Sequence, residues 1–187
     1  EVAAKSGKPI LLHPARKPDV PDFPAETHSK YEIWTIFGWP YETSATMARL
    51  VVSGIMTRFP NLKVMAHHLG AMIPFFDARI ETGWATLGSR TSGEDYRRIL
   101  PSLGKPLLDC FKQFYGDTAL NGNPSALRCG FEFFGEDHVL FASDLPYDIE
   151  NGRLSMRTAI DAIDAMGVSE TARQKIYEGN ARRLLHL

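Results

Sequence analysis

Lys63-Val64-Met65-Ala66-His67-His68 is a short apolar run that ends on two imidazoles. What surrounds it is helical in pattern. Upstream, Met47, Leu50, Val51, Gly54 and Ile55 fall at i, i+3, i+4, i+7 and i+8. That stripe predicts a helix over 44–59, capped by Thr43 or Ser44 and stopped by Pro60. Downstream, Pro74 opens a second helix predicted to run to Trp84. A buried strand held between two helices is the unit from which a parallel sheet is wound.

The same alternation continues outward in both directions. Residues 1–5 read as the last turns of a helix with Gly7 as its C-cap, and 8–13 as the strand that follows, so the chain looks as if it begins inside a domain. A loop marked by Pro14, Pro18, Pro21 and Pro24 comes next. It carries Trp34, Phe37, Trp39 and Tyr41, a set suited equally to a pocket wall or to a subunit contact. Beyond Trp84 the pattern gives a helical stretch over 94–111 broken at Pro101 and Gly104, then a strand over 113–117 and a helix over 124–134. A strand over 139–144, a helix over 154–166 closed by Gly167, and a last helix opening at Ser169 complete it. Four short apolar strands separated by helices predict an α/β fold with right-handed crossovers.

At their C-terminal ends, three of the four strands stop on a residue able to bind metal or move protons: His13, His68 and Asp144. In a (β/α)8 TIM-type barrel that rim carries the catalytic residues. Alternation along a strand puts Leu11 with His13, Val64 and Ala66 with His68, and Leu140 and Ala142 with Asp144, so each polar residue shares a face with barrel-filling side chains. The same period turns His67 toward the helix layer, for packing or a hydrogen bond. Asp117 closes the third strand, either in the pocket or in a structural turn.

Composition narrows the classes. With 21 basic and 22 acidic residues the net charge is −1, and no basic excess marks a nucleic-acid partner. The longest apolar runs, such as 10–12 and 139–142, fall far short of the roughly 20 residues a membrane span needs. Two cysteines, Cys110 and Cys129, are too few for a disulfide scaffold and favour a reducing, cytoplasmic setting.

The segment from Phe59 through His67-His68-Leu69-Gly70 to Pro74, with Leu140-Phe141-Ala142-Ser143-Asp144-Leu145-Pro146 and Gly179-Asn180-Ala181, resembles the amidohydrolase-related metal enzymes. Among these are the aminocarboxymuconate-semialdehyde and γ-resorcylate decarboxylases. The resemblance runs over nearly the whole chain. It implies that His13 and Asp144 are divalent-metal ligands. By its place six residues before Pro74, it implies that His68 is the catalytic histidine. Arg79, eleven residues after His68, is similar to an arginine that reaches the substrate carboxylate of a neighbouring subunit, which implies a homo-oligomer, a dimer or higher.

The family's His-x-His or Glu-x-His motif on the first barrel strand has no counterpart here. A barrel takes about 250 residues, and 187 with four strands read as a single domain, 1–187, forming roughly the C-terminal half of one. Histidine and carboxylate suit Zn²⁺ first and Mn²⁺ second. The expected function is a metal-dependent decarboxylase of a small aromatic or unsaturated carboxylic acid, with His68 and Asp144 in catalysis. A hydrolase or hydratase would use the same residues. An inactive fragment lacking the first-strand ligands is the reading of a different class, and metal analysis separates it from an enzyme.

Overall fold

The computed structural model describes all residues except 92 and 94. Its sheet has four parallel strands in the order β1 (Ile10–Leu12), β2 (Val64–Ala66), β3 (Tyr115–Asp117), β4 (Val139–Leu140). Ile10 pairs with Val64, Met65 with Tyr115, and Gly116 with Val139. The strand–helix alternation read from the sequence is therefore realised as a sheet with β1 and β4 at its edges. On β1, Ile10 and Leu11 remain exposed, whereas Val64, Ala66 and Val139 are buried. One core joins β2 and β4 to Met47, Val51, Phe111, Phe114, Leu127, Ile163 and Ile176 from the surrounding helices. Among the described residues no helix is long and apolar enough to cross a membrane.

The strands are shorter than expected, and the difference matters at the rim. β1 stops at Leu12, so His13 is the first residue beyond it. β4 stops at Leu140, because Phe141 N–H turns to Ile176 O and Ala142 N–H to the Thr118 hydroxyl, each at 2.9 Å. Asp144 thus stands on a turn past the ladder.

Helix boundaries also moved. The helix expected at 44–59 begins at Gly38, runs to Val52 and resumes over Ile55–Arg58 after Gly54, whose φ of 68° breaks it. Pro40 sits in the first turn, where its missing N–H costs nothing. Trp39 and Tyr41 are accordingly helical, and Trp34 lies in the short helix Ile33–Ile36. Ser44 is no cap. Its hydroxyl donates to Pro40 O at 2.7 Å and accepts Met72 N–H at 3.0 Å, tying this helix to the turn beyond β2. The helix expected from Pro74 starts at Asp77. Of the stretch 94–111, Glu94 lies outside the described residues, and helices occur at Ile99–Ser102 and Leu107–Phe111, parted around Gly104. The helix Pro124–Phe134 is as expected, with Asn123 capping Ser125 and Ala126 N–H at 3.1 Å.

Candidate active site

The rim is organised by what happens after Ala66. His67 keeps an extended backbone, with φ −63° and ψ 153°, but His68 swings to φ 53° and Leu69 to φ 50°. Left-handed backbone at non-glycine residues costs of order 1–3 kcal/mol and persists only where neighbours enforce it. Here the enforcement is visible. Leu69 is wedged where Gly116 and Gly130 have no side chain, since a Cβ on either would lie 2.9 Å or 2.2 Å from a Leu69 methyl. The carboxylate of Asp117 accepts the His68 N–H at 3.0 Å. Asp144 is likewise left-handed, with φ 65°.

This break corrects the reading of faces. Strand alternation would send His67 to the helix layer, but the chain has left the strand before it reaches His68, and both rings converge on the rim. Their centroids are 3.9 Å apart. His67 Nδ1 lies 2.7 Å from Asp117 Oδ2, and its Nε2 lies 3.3 Å from Asp144 Oδ1; His68 Nε2 lies 3.5 Å from Asp144 Oδ2. The expected hydrogen bond of His67 is therefore present, but it is made on the site side. Among the described residues, His67, His68 and Asp144 form a group whose ligand atoms lie within 4.8 Å of one another.

His13 adjoins this group without joining it. Its ring is 4.9 Å from that of His67 and edge-on to Trp39 at 5.3 Å, while Nδ1 contacts Pro14 O at 2.6 Å. The turn after it is held by Glu42, whose carboxylate accepts the Ala15 and Arg16 N–H groups. His13, His68 and Asp144 line a single cleft of about 700 Å³ together with Trp39 and Asn121, so the fold brings the three rim residues together. Arg79 is elsewhere. It is exposed and lines a separate groove of about 640 Å³ with Tyr41, Phe76 and Trp84.

Asp117 is the residue whose part was left open by sequence. It is 2% exposed and serves three donors, His67 Nδ1, His68 N and, at 3.1 Å, Ala119 N. Its place as the last residue of β3, at the same end of the sheet as His13 and His68, is the signal the sequence offers.

The electrostatics of the two imidazoles diverge. Burial opposes a charge on His67, but the hydrogen bond and charge of Asp117, with the charge of Asp144, outweigh it and raise the pKa above 6.5. Burial and the neighbouring His67 hold the pKa of His68 below 6.5 against the pull of the two carboxylates. With Nδ1 committed to Asp117, His67 Nε2 is buried and makes no hydrogen bond. An orphaned buried nitrogen is costly unless something satisfies it. Two imidazole nitrogens and a carboxylate are a donor set that fits a divalent cation, and a carboxylate behind a ligating histidine is the usual support for one.

Fold and rim together define a parallel α/β protein of (β/α)8 type with a His/Asp cluster at its C-terminal rim that fits a divalent metal, and comparison with known proteins assigns the family. The chain belongs to the Amidohydrolase family, whose profile matches residues 1–187. The 6-methylsalicylic acid decarboxylase of Penicillium expansum is 26% identical over 181 residues, 97% of this chain and 51% of its own length. A gamma-resorcylate decarboxylase of Rhizobium sp. is 28% identical over 182 residues, 96% of this chain and 50% of its own. The 5-carboxyvanillate decarboxylase of Novosphingobium aromaticivorans, solved with manganese and 4-hydroxy-3-methoxy-5-nitrobenzoic acid, superposes with a TM-score of 0.77 at 26% identity. That match covers 98% of this chain and 49% of that one. The chain thus spans about half the length of the relatives it matches, as the four-stranded arc of a (β/α)8-type sheet would.

Proposed function

We propose that this chain forms part of a metal-dependent decarboxylase acting on a small aromatic carboxylic acid bearing a hydroxyl. The observation that carries it is the His67–Asp117 pair: one nitrogen is fixed by a buried carboxylate, and the other is left without a hydrogen bond, facing Asp144. The decarboxylases it resembles, among them one solved with manganese and a nitrobenzoic acid, support the reaction class.

Asp144 and the Nε2 of His67 would hold the ion, with His13 as the third protein donor. The donor set accepts Zn²⁺ or Mn²⁺. When bound, the ion supplies positive charge that holds the acid's oxygens and stabilises the negative charge developing as CO₂ departs. His68 lines the cleft. The His68 imidazole, kept neutral near pH 7 by burial, is suited to take a proton from the substrate hydroxyl and return it to the ring carbon. The carbon–carboxyl bond then breaks, CO₂ leaves, and its electron pair returns to the ring. Asp144 receives the proton transiently or orients His68 through the contact at 3.5 Å.

Arg79 would bind the substrate carboxylate of a second subunit. Its exposure, and its groove beside Tyr41 and Phe76 rather than in its own chain's cleft, support a homo-oligomer. Free Cys110 and Cys129 support the cytoplasm as its compartment.

The test is a substitution series read on two scales, metal content and turnover of hydroxybenzoic acids. His68→Ala should leave metal content nearly unchanged while kcat/KM falls on the order of 10²–10⁴-fold. Asp144→Ala and His67→Ala should lose metal and activity together. Loss of metal in His68→Ala with full retention in His67→Ala would overturn the assignment.

A further inference from the structure

We propose that an apolar pocket beside His68 takes an alkyl substituent of the substrate acid; this rests on the decarboxylase reading above. The pocket measures about 440 Å³ and shares His68, Ala71, Leu120 and Ala126 with the main cleft, so the two adjoin. At about 30 Å³ per water in the liquid, it has room for a chain of several carbons.

Its own walls are Leu69, Pro74 and Phe75, with Ser125 and Cys129 as the polar members. Neither supplies positive charge. Burial, with Asp77 and Glu132 nearby, raises the Cys129 pKa and keeps it a neutral thiol. No lining residue is Lys or Arg, so the pocket has nothing of its own to hold a carboxylate, and the acid's charged end would stay at the rim, where His13, His67 and Asp144 would hold the ion. What the pocket offers is removal of hydrocarbon from water. Leu69 is 2% exposed and clamped between Gly116 and Gly130, so that wall is preformed. A substituent seated there would also pin the ring against the His68 imidazole, coupling recognition to the proton-transferring group.

The test is isothermal titration of the protein in Mn²⁺ with 2-hydroxybenzoates carrying hydrogen, methyl, ethyl or propyl at each open ring position. At one position, affinity should rise roughly fourfold per added methylene, the worth of a buried CH₂. Cys129→Phe and Ser125→Tyr, which fill the pocket from two points, should each cancel that gain and leave the Kd of the unsubstituted acid within about twofold. Folding of each variant is checked by thermal melting. Affinity indifferent to chain length at every position, or a gain that survives in both folded variants, overturns the pocket. If alkylated acids bind with the expected gain but none is decarboxylated, the pocket stands and the decarboxylase reading falls. If no acid binds at all, both fall.

Discussion

Replacing Asp117 with asparagine changes one atom's charge and leaves the shape of the site intact. In the native protein one carboxylate oxygen accepts the backbone N–H groups of His68 and Ala119 at 3.0 and 3.1 Å, and the other faces His67 Nδ1 at 2.7 Å. An amide oxygen can keep the two backbone bonds, but its NH₂ then confronts the Nδ1–H of His67. Two donors cannot bond. The imidazole must move its proton to Nε2, which converts the nitrogen offered to a cation into one that repels it. Hydrogen bonds to charged groups are worth about 1.5–3 kcal/mol and neutral ones about 1 kcal/mol, so losing charge at three bonds should destabilise the fold by about 1.5–6 kcal/mol. Support of this kind behind a metal-binding histidine is worth 10–100-fold in affinity. Titration of Asp117→Asn with Mn²⁺ and Zn²⁺ should therefore show a Kd raised by that factor, alongside a lower urea midpoint. A folded variant with native metal affinity, and with the His67 proton still on Nδ1 by nitrogen NMR, would refute the reasoning.

The remaining expectations concern pH and packing. In metal-free protein, His67 binds a proton more tightly folded than unfolded, so its contribution to stability is full below pH 6.5 and lost as pH rises through its folded value. His68 has the opposite shift, and its contribution is full above pH 6.5 and lost as pH falls through its lowered value. Denaturation across pH 5–8 should give a maximum near 6.5, with His67→Gln flattening the alkaline limb and His68→Gln the acid limb. Gly130→Ala would drive a methyl to 2.2 Å from Leu69 and should destabilise by about 1–3 kcal/mol, with a fall in turnover because His68, the proposed proton-transferring group, precedes Leu69; unchanged melting would show that the wedge is slack. Asn123→Ala removes the side-chain cap of the helix Pro124–Phe134 and should cost about 1 kcal/mol in chemical denaturation without altering metal affinity.

What the sequence determined by itself was the order and kind of the elements and the chemistry at their ends. Apolar runs of strand length, helical stripes such as that of Met47, Leu50 and Val51, and glycine and proline at the breaks are local signals, and a parallel sheet in chain order follows from them. The placement of His13, His68 and Asp144 on one cleft was legible for the same reason, because successive parallel strands deliver their C-terminal ends to one side. Only the tertiary structure decided what His67 and Asp117 do. Their roles depend on where the ladder stops: the chain turns left-handed at His68 because Leu69 needs the space above Gly116 and Gly130, residues 47 and 61 positions further along the chain. Period-2 alternation holds only while the backbone stays extended, and no local pattern at 64–68 announces that it ends at Ala66. Likewise, Ser44 accepts the Met72 N–H rather than capping its helix, a contact between segments 28 residues apart that no local pattern announces.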